Sequence, residues 1–205
     1  MLKRAFDIIV ASLALLLLSP VYAVVGAYVA WRIGRPILFI QERAGRSGRL
    51  FRMYKFRTMT NARDSAGHLL PDDVRLTPAG RFLRSTSLDE LPELWNIVLG
   101  QMSLVGPRPL LIRYLPRYNA EQARRHDVRP GLTGHAQING RNALSWDDKL
   151  ALDTWYVDNR TFLLDLRILL RTFTAIFDRR GISGTDHATM SEFMGTAPPA
   201  DRPDA

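Results

Sequence analysis

From Ile8 to Trp31 the chain carries no charged side chain, and Ser19-Pro20 interrupts that run at its middle. As one helix rising about 1.5 Å per residue, the run would reach roughly 36 Å, enough for a hydrocarbon core of about 30 Å. A straight spanning helix is therefore the simplest reading. Pro20 opposes it, because it has no N–H for the Leu16 carbonyl and its ring presses on that turn. The Ser19 hydroxyl offers a partial substitute for the lost donor. A helix broken at this point can enter and leave a bilayer by one face. Lys3 and Arg4 precede the run, Arg32 and Arg35 follow it, and basic residues favour the cytoplasmic side. The expectation is a re-entrant helix-break-helix over residues 1–35, ranked above the straight span. A cleaved signal peptide ranks last. The run is longer than a secretory signal needs, Val21-Tyr22-Ala23 is a poor cleavage site, and the chain has no cysteine to suggest an oxidising destination.

A length of 205 residues suits one domain with an appended membrane element. The formal net charge of +8 points to an acidic partner: nucleic acid, anionic lipid or a phosphate-rich small molecule. The basic residues are mostly arginine and spread along the chain, which suits bidentate phosphate binding. No helix-turn-helix, zinc or RNA-binding signature is present, so no nucleic-acid partner is expected.

Hydrophobic patterning predicts an α+β fold, mainly helical. Pro36 to Met59 reads as a β-hairpin, with Ile37–Ile40 as one strand, Gly45–Gly48 as turn and Leu50–Met59 as the other. Asn61–Pro78 is loop-like. Helices are expected near Ala79–Arg84, over Leu88–Leu99, over Leu110–His126 with a kink at Pro116, and over Trp146–Val157. Pro130–Asn142 reads as Gly-rich loop. Phe162–Phe177 is an amphipathic helix for the core or for the membrane interface, where Arg167 and Arg171 would snorkel to headgroups. The expected domain plan is a catalytic domain over 36–190 and a disordered tail over 191–205.

The most informative soluble segment is Arg84-Ser85-Thr86-Ser87-Leu88-Asp89-Glu90-Leu91. Its ordinary reading is a helix start, with Ser87 and Glu90 at capping-box spacing. The same geometry allows chemistry. A helix N-terminus attracts phosphate, and an ionised Asp89 can attack phosphorus. Such an attack on a diphosphate needs cations against charge repulsion, and usually Mg²⁺. Lys55, Arg57, Arg81, Arg84, Arg108 and Arg141 are the candidates. Arg108 stands out because prolines flank it. Asp153 and Asp165 lie among apolar residues, where pairing with a base is the ordinary role. No P-loop, G-x-G-x-x-G or H-E-x-x-H occurs, and the four histidines lack metal-ligand spacing.

Several segments, in order, resemble the bacterial sugar transferases, specifically the small monotopic polyprenol-phosphate phosphoglycosyl transferases. They include Lys3-Arg4-Ala5-Phe6-Asp7, Ser19-Pro20, Tyr54-Lys55-Phe56-Arg57-Thr58-Met59 and Ser87-Leu88-Asp89-Glu90-Leu91. Further on come Leu104–Pro109, Arg129–Gly134, Gln137–Asn142 and Leu152–Val157. The resemblance runs to about residue 190. His135 departs from it, standing where a tryptophan is expected after Thr-Gly.

The resemblance implies transfer of a sugar 1-phosphate from a UDP-sugar to undecaprenyl phosphate, with release of UMP. Asp89 would be the nucleophile of a covalent phosphosugar intermediate, Glu90 its helper, and Mg²⁺ the cofactor, with Asp89 as a metal ligand. Lys55, Arg57, Arg84, Arg108, Arg141 and Asp153 make up the expected substrate-binding set. The membrane element would be re-entrant and broken at Ser19-Pro20, placing the enzyme monotopically on the cytoplasmic face of the bacterial inner membrane. The product would start a capsule, exopolysaccharide, O-antigen or glycoprotein glycan. Two other readings stay open: direct transfer with Asp89 only holding Mg²⁺, and a non-catalytic basic membrane scaffold.

Overall fold

The computed structural model describes residues 2–140, 144–177 and 192–196. It is α+β and mainly helical, with two small sheets. Helices α1 (Leu2–Leu17) and α2 (Ser19–Arg32) meet at a bend of 63°. The bend has the expected local cause. Pro20 supplies no donor, and Ser19 Oγ donates instead to the Leu16 carbonyl at 2.8 Å. Among the described residues no single helix is long and apolar enough to cross a membrane, although the bent pair together has the length and composition. Leu13, Leu16, Leu17 and Val24 are exposed on it, Leu17 by 75%.

The inner side of α1 packs Phe6, Val10, Ala11, Ala14 and Leu15 on the core, and its first turns add polar contacts. Lys3 Nζ lies 2.6 Å from Asp165, and Arg4 donates to the carbonyls of Ile97 and Val98 at 2.8 and 3.2 Å. Asp7 accepts from Ser103 Oγ at 2.8 Å and from the Leu104 N–H at 3.2 Å. The sequence offered Lys3 and Arg4 as flanking cations for a membrane face, whereas here both turn inward onto the domain.

Strands β1 (Leu38–Ala44) and β2 (Leu50–Phe56) form the expected antiparallel hairpin, in register from Leu38↔Phe56 to Ala44↔Leu50. β1 runs four residues past the expected Ile40, because Gln41, Glu42 and Arg43 pair with Met53, Arg52 and Phe51. Phe51 and Met53 face a core shared with Leu94, Ile97, Met102, Leu104, Tyr156 and Ile168. Asn96 fastens the hairpin to that core. It accepts from the Tyr54 N–H at 3.1 Å and donates to the Arg52 carbonyl at 2.7 Å.

The loop after β2 contains the short α3 (Asp72–Arg75), and α4 (Pro78–Ser85) follows with Thr77 as its cap. Gly80 lies so close to β2's continuation that a Cβ would sit 1.9 Å from the Thr58 carbonyl oxygen. The helix expected over 88–99 is divided. A 3₁₀ turn covers Leu88–Glu90, and α5 is Glu93–Val98. Pro92 separates them, since its ring and missing N–H suit a first turn but not an interior. Ser87 adopts a left-handed φ of 57° and makes no side-chain cap, so the expected capping box does not form.

β3 (Ser103–Val105) then pairs in parallel with β4 (Gly131–Thr133). Between them the expected helix over 110–126 breaks into a 3₁₀ segment at Ile112–Arg117, α6 (Ala120–Ala123) and a second 3₁₀ turn at Arg124–Asp127. Pro116 interrupts the first part, and a capping box of Asn119 with Gln122 restarts the helix. The expected loop over 130–142 contains β4 and α7 (His135–Ile138). α8 (Trp146–Asn159) and α9 (Phe162–Phe177) complete the described helices. α9 buries Asp165 and Ile168 and exposes Leu163, Leu170 and Phe173. One part of the tail expected to be disordered is ordered. Phe193 is 1% exposed and packs with Tyr114, Tyr118 and Trp146. Polar contacts flank this aromatic anchor: Arg117 pairs with Glu192 at 2.8 Å, and Thr196 accepts from Gln122 at 2.6 Å and donates to Asp147 at 2.7 Å.

Candidate functional site

The left-handed turn at Ser87 and the 3₁₀ turn after it place Asp89 and Glu90 between the end of β2 and the loop after β3. Asp89 is 7% exposed. Among the described residues it has neither ion pair nor hydrogen bond. Burial first, and then the neighbouring Glu90, push its carboxyl up to about 6, against the pull of Lys55, Arg84 and Arg108. Glu90 differs. Its Oε1 accepts from Lys55 Nζ at 2.7 Å and from Arg108 Nη2 at 2.6 Å. Burial opposes its ionisation, but Arg108 and Lys55 outweigh burial and hold it well below the usual carboxylate range.

Glu93, buried in the first turn of α5, lies 3.0 Å from the same Lys55 ammonium without hydrogen-bond geometry. Burial pushes its carboxyl up to about 7, and competition with Glu90 for Lys55 adds to that. Lys55 and Arg108 both stay charged. Burial works against each, and the carboxylates more than compensate. The site thus gathers three carboxylates of unequal acidity, two fixed cations and Arg84, whose guanidinium feels Asp89 and donates to Thr58 Oγ1 at 3.2 Å. Arg108 remains 43% exposed at its side chain, so it can reach a ligand.

Other expected members lie differently. Arg57 is buried, with its guanidinium donating to the carbonyls of Met59 at 2.7 Å and Arg35 at 2.6 Å, so it fastens two loops. Arg81 donates to the Leu76 carbonyl at 3.1 Å. Asp153 pairs with Arg125 at 2.7 Å, both almost fully buried, and Arg125 also donates to the Arg108 carbonyl at 2.7 Å. Asp153 therefore braces the backbone of Arg108. Arg141 falls outside the described residues. Asp165 is committed to Lys3 and Tyr156. His135 stacks on Trp155, centroids 4.4 Å apart.

No sequence pattern singles out Glu93, Arg125 or Lys149. Glu93 reads as a helix-start acid, and Arg125 as one of a surface run. Lys149 sits over Trp146 at 5.0 Å, and burial followed by Arg108's charge pushes it down to about 8.

No group of three or more acidic, His or Cys side chains gathers to hold a metal among the described residues. Asp89 is the carboxylate free to join one. Mg²⁺ commonly takes one or two carboxylates and completes its shell with substrate phosphates, and this donor set fits that pattern.

The family model described as bacterial sugar transferase matches residues 1–179. An uncharacterized sugar transferase EpsL of Bacillus subtilis is 53% identical over 195 residues, covering 95% of this chain and 96% of that one. An undecaprenyl-phosphate galactose phosphotransferase of Salmonella typhimurium is 39% identical, covering 88% of this chain but 41% of its own length. A UDP-glucose:undecaprenyl-phosphate glucose-1-phosphate transferase of Klebsiella pneumoniae is also 39% identical, covering 83% of this chain and 39% of its own. The chain thus spans about two fifths of these two longer relatives.

Proposed function

The chain belongs to the bacterial sugar transferase family, and on that footing we propose that it transfers a sugar 1-phosphate from a UDP-sugar to undecaprenyl phosphate. The observation that carries this reading is the unpaired, buried Asp89 carboxylate set among Lys55, Arg84 and Arg108. The two longer relatives are named for transfer to undecaprenyl phosphate, which supports the choice of acceptor.

In the first half-reaction an Asp89 oxygen forms a bond to the sugar-bearing phosphorus. The bond from that phosphorus to the bridging oxygen breaks, and its electron pair leaves with UMP as phosphate. In the second, a phosphate oxygen of undecaprenyl phosphate attacks the same phosphorus and Asp89 leaves as carboxylate. Neither step requires a proton. Glu90 holds Lys55 and Arg108 in place, and these cations offset charge on the transferring group. Mg²⁺, held by Asp89 and the donor's phosphates, would supply a further counter-charge. Arg125 and Asp153 fix the Arg108 backbone.

The exposed apolar faces of α1, α2 and α9 support a monotopic, re-entrant placement on the cytoplasmic face of the inner membrane. Cysteines introduced near both ends of the α1–α2 pair, in a chain that has none, should label from the same side.

The decisive experiment supplies a panel of UDP-sugars with Mg²⁺ and no lipid. A covalent intermediate gives a stoichiometric burst of UMP and exchange of labelled UMP into the UDP-sugar. UMP release that needs lipid from the outset favours direct transfer, with Asp89 as metal ligand. Lack of turnover with any donor favours the scaffold.

A further inference from the structure

Arg43 stands outside the machinery described so far, yet the fold aims it there. It lies near the end of β1, opposite Phe51 of β2. Directly opposed residues of an antiparallel pair share a face, so Arg43 faces the same way as Phe51, Met53 and Lys55, towards α5. An antiparallel bridge also joins Arg43 to Leu111, three residues after Arg108. Arg43 thus lies on the α5 side of the hairpin, with the segment that follows Arg108 paired alongside it.

Its bonding is incomplete. Nη2 donates to Gln41 Oε1 at 2.6 Å, while Nε is buried without a partner. Among the described residues no carboxylate lies within ion-pair distance of it. A guanidinium has five N–H donors, and an inward-facing one with a single neutral acceptor is suited to an anion. Burial acts first on its charge, and Arg108, Glu93, Tyr114 and Arg113 act after it, while Lys55, farther along the same face of the hairpin, pairs with Glu90.

We propose that Arg43, with Arg108, forms the phosphate subsite opposite Asp89, filled by the phosphate of UMP in one half-reaction and by that of undecaprenyl phosphate in the other. The inference rests on the proposed function. Both half-reactions move the same phosphoryl group between Asp89 and an oxygen roughly in line on its far side. The leaving phosphate and the entering phosphate therefore occupy one place in turn. Each is a phosphate monoester, and two guanidiniums suit either.

The test uses the full chain in detergent micelles and reads binding of UMP and of uridine by calorimetry, with the KM for undecaprenyl phosphate. Arg43→Gln should weaken UMP about tenfold, the loss of one charge-assisted contact. It should leave uridine binding unchanged and raise the lipid KM by a similar factor. Arg43→Lys should recover part of each loss, and it decides the matter if Arg43→Gln shows no cooperative melt. Unchanged UMP binding, or equal loss of UMP and uridine, overturns the assignment. Weakened UMP with an unchanged lipid KM overturns the shared subsite. A wild-type chain that neither binds UMP nor turns over brings down the function and the subsite together. A working enzyme indifferent to Arg43→Gln brings down the subsite alone.

Discussion

Arg125 and Asp153 meet at 2.7 Å with both side chains almost fully buried, whereas Lys55 is shared by Glu90 at 2.7 Å and Glu93 at 3.0 Å. The first pair is closed. One acid meets one base, and the spare guanidinium donor goes to a backbone carbonyl. The second cluster is open, because two carboxylates compete for one ammonium. Burial and Arg108 divide them: burial lifts Glu93 to about 7, and Arg108, with Lys55, keeps Glu90 ionised. Asp89, one residue away, is lifted to about 6 and left unpaired. A closed pair holds the fold in place. An open cluster keeps charge that an incoming phosphate and its counter-ion can rearrange.

The sharpest way to break this contrast is Asp89→Asn. The amide keeps the shape and removes the anion, so sugar-phosphate transfer should fall by at least about a thousandfold while the melting temperature holds. Release of UMP within tenfold of wild type would take the nucleophile role from Asp89. Asp153→Asn should do the opposite, harming the fold more than the chemistry. It leaves Arg125 buried without its counter-charge, at a cost of about 3–5 kcal/mol. Urea denaturation measures it, and a loss under about 1 kcal/mol would mean that the pair is not closed.

Glu93→Gln should act through pH. The folded-state pKa of Glu93 is raised, to about 7 from an ordinary 4.5. Its neutral form is therefore favoured by folding, and the stability that goes with it is present below pH 4.5 and lost as pH rises through about 7. The glutamine variant should match wild type near pH 5 and exceed it at pH 8, by roughly 1–3 kcal/mol. Thermal melts at both pH values decide it, and equal differences at the two would place Glu93 in a closed pair with Lys55. Ser19→Ala serves as a neutral reference. It removes one exposed, uncharged hydrogen bond and should cost under about 1 kcal/mol at every pH. A pH-dependent loss there would show that such trends are not specific to the charge clusters.

Local chemistry made the Ser19-Pro20 bend and the hairpin legible in the sequence, since a missing donor and an alternating strand act over a few residues. The meeting of Lys55, Arg84, Asp89, Glu90 and Arg108 was legible through motifs that named them together. Arg57 belongs to the same motif as Lys55, yet it lies one residue beyond the end of β2 and turns to backbone carbonyls. Where a strand stops is set by tertiary packing, which no motif records. Arg125 was invisible for a related reason. With Arg124 and His126 it makes a basic run that suits a solvated face, and only the break into a 3₁₀ turn directs Arg125 and His126 inward. The division of the 88–99 helix follows from Pro92 and from the left-handed Ser87, a conformation that sequence seldom betrays outside glycine and asparagine.

The polar seam beneath α1 also sets a timetable. Lys3 finds Asp165 across 162 residues of chain, and Asp7 waits for β3. At about 5–20 residues per second, a ribosome takes roughly 8–30 s to supply the last of these partners. During that interval α1 and α2 have their apolar face but no domain to rest on. In the proposed placement the bilayer receives the pair first, and the domain assembles beneath an anchor already set. Closure of the long Lys3–Asp165 loop then comes last, as a docking step between two finished parts.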